Sequence, residues 1–199
     1  MDIDKTKYKL TYNNYNKEKT AKTQILLTNT FREIDKHFAR LRYRNLGKNK
    51  KTPHFTIDRN GVIFQHFNPE FYSDILGDKN IDRNIITIAI VNRGWLDKDI
   101  LNNRYFDYIG DLFYGDIYER MWRNHCYWDS YSDEQIVSCA KLSKYLCDKF
   151  NINENFIQDN IKIPGIENFK GIVSRSNYSS FYSDISPAFN SELFEESLV

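Results

Sequence analysis

Four histidines and three cysteines are the side chains in this 199-residue chain best suited to hold a metal or attack a carbonyl. The histidines are His37, His54, His66 and His125, and no HxxxH or HxH spacing joins any two of them. A zinc site built within one helix turn or one strand face needs such spacing to aim two imidazoles at one point. Cys126, Cys139 and Cys147 form neither an even framework nor a close metal-binding pair, which predicts reduced, buried thiols. Cys126 adjoins His125, yet adjacent residues rarely face one another, and nothing flanks the two as an activating site. The chain has neither a GxSxG nucleophile elbow nor a phosphate-cradling GxxxxGK loop. A basic run from Lys48 to Lys51, preceded by Arg40, Arg42 and Arg44, reads either as a contact for phosphates or acidic glycans or as a solvated loop.

The elements that must position any site are centred on Thr52 to Asn92. His54 to Ile57 alternates, Asp58-Arg59-Asn60-Gly61 follows, and a second alternating run covers Val62 to Phe67. Asn-Gly between β-rich runs predicts a hairpin, because both residues tolerate positive φ. Ile85 to Val91 is nearly continuous in β-branched residues, the pattern of a central strand covered on both faces. Upstream, Thr23 to Thr28 reads as another buried strand. Thr30 and Glu33 have the spacing of a capping box, and Phe31, Ile34, Phe38 and Leu41 form one helix face behind it. Downstream, Ser132 and Gln135 make a second capping box, launching a helix from Asp133 to Phe150 striped by Ile136, Cys139, Leu142 and Leu146. A short strand near Ile161 to Ile163, a last strand over Phe169 to Val173 and a terminal helix from Ser186 through Phe194 complete the pattern. The fold class expected is α/β, with a central mixed β-sheet flanked by helices.

The hairpin HFTIDRNGVIFQ, followed by an Asn-initiated apolar strand, resembles the zinc-dependent N-acetylmuramoyl-L-alanine amidases of the peptidoglycan-recognition type, phage members included. Tyr131-Ser132-Asp133-Glu134-Gln135 is similar to the start of that family's long helix, and the likeness extends over roughly residues 23 to 194. The resemblance implies three zinc ligands, and here the matching positions are Thr28, Ser174 and Asp184. It also implies that Tyr182 stands where a catalytic Lys or Arg would, and Pro53 where some phage members have a Tyr. A hydroxyl is a poor zinc ligand beside imidazole or thiolate, so only Asp184 survives as a credible one. His54 reads either as a site residue or as a satisfied strand histidine. The expectation is an inactive amidase-like domain with no cofactor. The degenerate groove would be marked by Thr28, His54, Ser174, Tyr182 and Asp184, with Trp122 beside it. The alternative is an active zinc amidase of the endolysin type.

With 28 basic and 27 acidic residues the net charge is +1, which gives no general pull toward nucleic acid or anionic membrane. No apolar run approaches about 18 residues, and Met1-Asp2-Ile3-Asp4-Lys5 is no signal peptide, so the chain reads as soluble and unprocessed. Residues 1–22 form a Tyr- and Asn-rich arm or an edge strand at Tyr8 to Tyr12, and residues 23–199 the amidase-like domain. Within that domain, residues 92–131 are an aromatic-rich insertion including Trp95, Tyr108, Trp122 and Trp128. Its aromatics suit stacking on sugar rings, a second hydrophobic layer, or a protein interface. The partners expected are peptidoglycan or other virion proteins of a tailed phage, in tail or baseplate, and the location the virion or host cytoplasm. Nothing in the sequence sets the oligomeric state.

Overall fold

The hairpin and the β-branched run after it do build the centre of the molecule. The computed structural model describes residues 1–198. In chain order the first part comprises β1 (Ile3–Asp4), β2 (Gln24–Asn29), α1 (Ile34–Tyr43), β3 (Phe55–Ile57), β4 (Ile63–Gln65), α2 (Lys79–Asp82) and β5 (Ile85–Ile90). The insertion contributes β6 (Trp95–Asp99), β7 (Arg104–Asp107), β8 (Leu112–Phe113), β9 (Ile117–Trp122) and β10 (His125–Asp129). Then come α3 (Asp133–Phe150), β11 (Gly171–Ser174), α4 (Arg175–Tyr178) and α5 (Ser191–Glu196).

The main sheet has six strands in the order β1-β4-β3-β5-β2-β11. β5 lies parallel between β2 and β3, β11 is parallel to β2, and β3 pairs antiparallel with β4 through the Asp58–Gly61 turn. All of β2 and β5 is buried, as their unbroken apolar runs require. One face is closed by α3, whose Ile136, Cys139, Leu142 and Leu146 pack with Ile25, Leu27, Ile86 and Ile88. Each such side chain contributes roughly 1.5–3 kcal/mol on burial. Side chains alternate along a strand, so Gln24, Leu26 and Thr28 of β2 point to the other face. There Leu26 joins Ile85, Ile166 and Val173 in a smaller cluster, and Thr28 at the strand end reaches a cleft.

The insertion forms a second, five-stranded sheet in the order β8-β7-β6-β10-β9, wholly antiparallel. Residues 1–22 lie along the main sheet. Ile3–Asp4 extends it beside β4, Tyr8 and Leu10 are buried, and Asn14 donates its amide to the carbonyls of Leu41 and Asn49. The edge strand expected at Tyr8 to Tyr12 is therefore displaced to Ile3–Asp4.

Other elements shift for physical reasons. The first helix begins at Ile34 and not behind a Thr30–Glu33 box. Thr30 Oγ1 turns to the Arg32 carbonyl at 2.6 Å, Phe31 adopts φ 55°, and the Glu33 carboxylate accepts from Arg93 at 3.0 Å. The terminal helix starts at Ser191, where Asn190 caps it by accepting from the Leu193 amide at 3.1 Å. Ile161 to Ile163 forms no strand, and its backbone accepts instead from the Asn177 side chain. No helix of the described residues is long and apolar enough to cross a membrane. Cys139 and Cys147 are buried thiols, while Cys126 on β10 is only half-buried.

Candidate functional site

The C-terminal ends of the parallel strands β2 and β5 open into a cleft of about 390 Å³. Its floor carries Thr28, Asn29 and Ala89. One wall comes from α1 and the loop after it, with His37, Arg40, Arg44, Asn49 and Lys51. The second sheet supplies Trp95 and Tyr108, and the chain following β11 supplies Arg175, Phe181 and Tyr182. Such a position, beyond the carboxyl ends of parallel strands, is where open α/β sheets place ligands.

At the base of the cleft the Asp184 carboxylate is fully buried. Thr28 Oγ1 donates to its Oδ2 at 3.2 Å, and the Arg175 guanidinium pairs with the same oxygen through Nε. The Arg175 guanidinium also stacks on the Tyr182 ring, 4.2 Å from its centroid. Burial pulls the Arg175 pKa down, but the Asp184 charge outweighs it and holds the group above its ordinary value. Asp184 Oδ1 has no hydrogen-bond partner. Across from this pair, Arg123 donates to the carbonyls of Ser180 and Tyr182, which fixes the loop bearing Tyr182.

Of the residues singled out from the sequence, Thr28, Tyr182 and Asp184 lie together at the cleft, and Ser174, His54 and Trp122 do not face it. Ser174 is completely buried beneath the cleft, its Oγ 3.1 Å from Asn177 Oδ1 and its amide donating to the same oxygen at 2.7 Å. His54 is in the core. Its Nδ1 accepts from the Thr87 amide at 2.9 Å and its Nε2 donates to the Phe71 carbonyl at 3.0 Å, so both ring nitrogens are used. Burial, with the Lys22 charge nearby, pushes its pKa well below the ordinary histidine range. Trp122 lies on β9 against Trp128 and Arg123 and borders a different hollow with Asp159 and Asn160. His66 sits between Thr56 Oγ1 and the Tyr8 carbonyl, each 2.7 Å away, and His125 stacks on Trp95.

The sequence profile of the N-acetylmuramoyl-L-alanine amidases matches residues 11–173. The chain belongs to that family. No curated protein matches it, whereas several solved structures do. An N-acetylmuramoyl-L-alanine amidase, LysC, from Clostridium intestinale URNW is 13% identical at a TM-score of 0.53, over 100% of this chain and 97% of that one. A mutant endolysin from Bacillus subtilis is 18% identical at a TM-score of 0.55, over 100% and 99%. The E. coli amidase AmiD, solved with anhydro-N-acetylmuramic acid-L-Ala-D-gamma-Glu-L-Lys as substrate, is 14% identical at a TM-score of 0.57, over 92% of this chain and 59% of that one. At these identities the likeness is one of fold.

In this amidase-family chain the donors at the positions matched by resemblance are a poor fit for a zinc ion. A catalytic zinc takes three imidazole, thiolate or carboxylate ligands and keeps one open position. The three positions that the resemblance matches to those ligands hold a threonine hydroxyl, a serine hydroxyl already engaged by Asn177, and a carboxylate already neutralised by a guanidinium. Among the described residues, no three His, Cys, Asp or Glu side chains lie together closely enough to hold a metal ion. The residue that sequence reasoning missed is Arg175. Its position next to Ser174 was visible, but its partner Asp184 reaches it only because the chain doubles back, with the Ser176 amide donating to the Asp184 carbonyl at 2.9 Å. The Arg40 and Arg44 spacing of one helix turn was a readable signal for the basic wall.

Proposed function

We propose that this chain is a catalytically inactive amidase-like domain that keeps the family scaffold for binding, either of peptidoglycan or of another protein in a tailed-phage virion such as its tail or baseplate. The observation that carries this reading is the Arg175–Asp184 pair. A permanently charged guanidinium satisfies the one carboxylate of the ligand set, and unlike a metal ion it has no open position on which to bind and ionise water. The endolysins among the structural relatives support a phage setting. Peptidoglycan as a ligand is supported by family membership and by the cleft itself.

Metal analysis of the purified chain after expression in zinc-supplemented medium tests the dead-site reading. The expected result is far below stoichiometric zinc, together with no release of stem peptide from purified cell walls. About one zinc per chain, or measurable amide hydrolysis, overturns it. Retention on insoluble peptidoglycan distinguishes a wall ligand from a protein partner. Retention that Trp122→Ala abolishes places the contact on the second sheet, and no retention of either form favours the protein partner.

A further inference from the structure

Every charged side chain at the wall and floor of the cleft beyond β2 and β5 is basic, apart from Asp184, which Arg175 neutralises beneath it. Arg40, Arg44 and Lys51 stand exposed around it, and among the described residues none of the three forms a salt bridge with an acid of this chain. The whole protein is nearly neutral at +1, so the concentration of unpaired cations here is local. Two buried amide donors reinforce it. The Asn29 side-chain oxygen accepts from Tyr131 at 2.6 Å and the Asn49 oxygen from the Lys51 amide at 3.1 Å, which fixes both side-chain nitrogens as donors. Neither nitrogen has a partner, although both residues line the cleft. Buried donors left unpaired by the protein are rare, and these two add donor character to a lining that has no free carboxylate.

We infer that this cleft is a docking site for an acidic peptide segment of a partner protein, held by its carboxylates on Arg40, Arg44 and Lys51 and by its apolar side chains on Trp95, Tyr108 and Tyr182. Charge complementarity selects the class of occupant. Glycan hydroxyls donate as well as accept, and a lining of cations with no free carboxylate matches an anionic ligand better than a neutral glycan. A nucleic acid requires a basic track along several phosphates on a protein of positive charge, whereas this charge is confined to one walled cleft of about 390 Å³. Guanidinium forks match planar carboxylates in bidentate fashion. Arg40 and Arg44 are one helix turn apart, their Cβ atoms about 5–6 Å from each other. Alternate side chains of an extended peptide fall on one side at about 6.6–6.8 Å, so acids two residues apart meet successive arginines.

The inference rests on the cleft being a binding site and not a catalytic one, and its test is separate from the metal analysis. Hexaglutamate is titrated into the intact chain by calorimetry, with hexaglutamine, tripolyphosphate and the stem tripeptide L-Ala-γ-D-Glu-L-Lys as parallel arms. Saturable binding of hexaglutamate is expected, weakened severalfold between low and high salt and absent for hexaglutamine. The double variant Arg40→Gln/Arg44→Gln should weaken it roughly fivefold or more. Both side chains are exposed, so an unchanged Tm certifies the variant's fold. No saturable binding, or equal binding by the double variant, overturns the proposal. Tighter binding of tripolyphosphate overturns it in favour of phosphate ligands, and tighter binding of the stem tripeptide in favour of the cell wall. Zinc uptake with hexaglutamate binding intact would sink the dead-site reading alone.

Discussion

Arg175 is the side chain whose removal separates a structural cation from an incidental contact. Without it the Asp184 carboxylate stays wholly buried with only the Thr28 hydroxyl to solvate it. Breaking a buried pair from one side leaves an uncompensated charge, so Arg175→Met should cost about 3–5 kcal/mol of unfolding free energy. Asp184→Leu should cost less, because the Arg175 side chain is 19% exposed and can turn toward water. Adding Asp184→Leu to Arg175→Met should recover much of the loss. Urea unfolding of the two single variants and the double variant measures the coupling, and strictly additive costs would refute it. The histidines give a second residue-scale expectation. Burial pushes His66 from 6.5 down to about 4, so below the unfolded value the unfolded chain binds the proton that the folded chain refuses. Stability from this group is intact above 6.5 and falls as the pH drops toward about 4, by about 3 kcal/mol in all. Asp82 and Asp129, pushed up to about 6 by burial, oppose the trend over the lower part of that window. The effect is therefore read by difference: His66→Gln should flatten the fall in Tm between pH 6.5 and 4.5. A parallel fall in both proteins would contradict it. At this scale the sequence showed the hydroxyls at positions 28 and 174, because position alone decides them. It did not show that His54 is fully spent on Thr87 and Phe71, since those partners come from other segments.

Elements were legible where their signals are local. The helix α3 runs over Asp133–Phe150 as read, because its cap is made by Ser132 and Gln135 within one turn. The start of α1 was misread because Glu33 serves Arg93, 60 residues on, and no local pattern carries that information. The hairpin turn was legible for the same reason as α3. Gly61 has φ 77° and its amide donates to the Asp58 carbonyl at 3.0 Å. It has a further duty that the turn motif does not reveal. A Cβ at Gly61 would stand 2.7 Å from both the Glu134 carbonyl and Ser138 Oγ, so the turn is pressed against α3. Gly61→Ala should therefore cost about 2–3 kcal/mol, more than its φ alone would impose. Gly165→Ala has a similar φ of 76° with nothing within 4 Å, and it isolates the backbone part. Equal urea midpoints for the two variants would show that the packing against α3 contributes nothing.

At the scale of the molecule, the second sheet escaped sequence reading because its strands are two to six residues long and mostly half-buried, β9 being largely exposed. Without one continuously buried face to enforce alternation, its aromatics show no period. Buried ion pairs tie it to the main sheet at one junction. Arg93 leaves β5 and binds Glu33 before α1 at 3.0 Å while pairing with Asp107 on β7. Arg59 of the hairpin turn pairs with Asp129 on β10 and donates to the Ser130 carbonyl at 2.6 Å. Asn92 completes the junction by donating to the Asp129 carbonyl at 2.9 Å. Asp107 and Asp129 are buried, so these are contacts with little water to replace them. Arg93→Ala should then loosen the second sheet as a unit, since Asp107 loses its cation while the core of β2, β5 and α3 is untouched. Hydrogen exchange measures this: amides of Trp95–Asp99 and Arg104–Asp107 should exchange at least tenfold faster, with those of Ile85–Ile90 unchanged. Because Trp95 and Tyr108 wall the cleft, the same variant should also weaken whatever the cleft binds, although Arg93 does not line it. Uniform acceleration across both sheets would mean that the molecule opens as one body, and that the second sheet is no separate wall to the cleft.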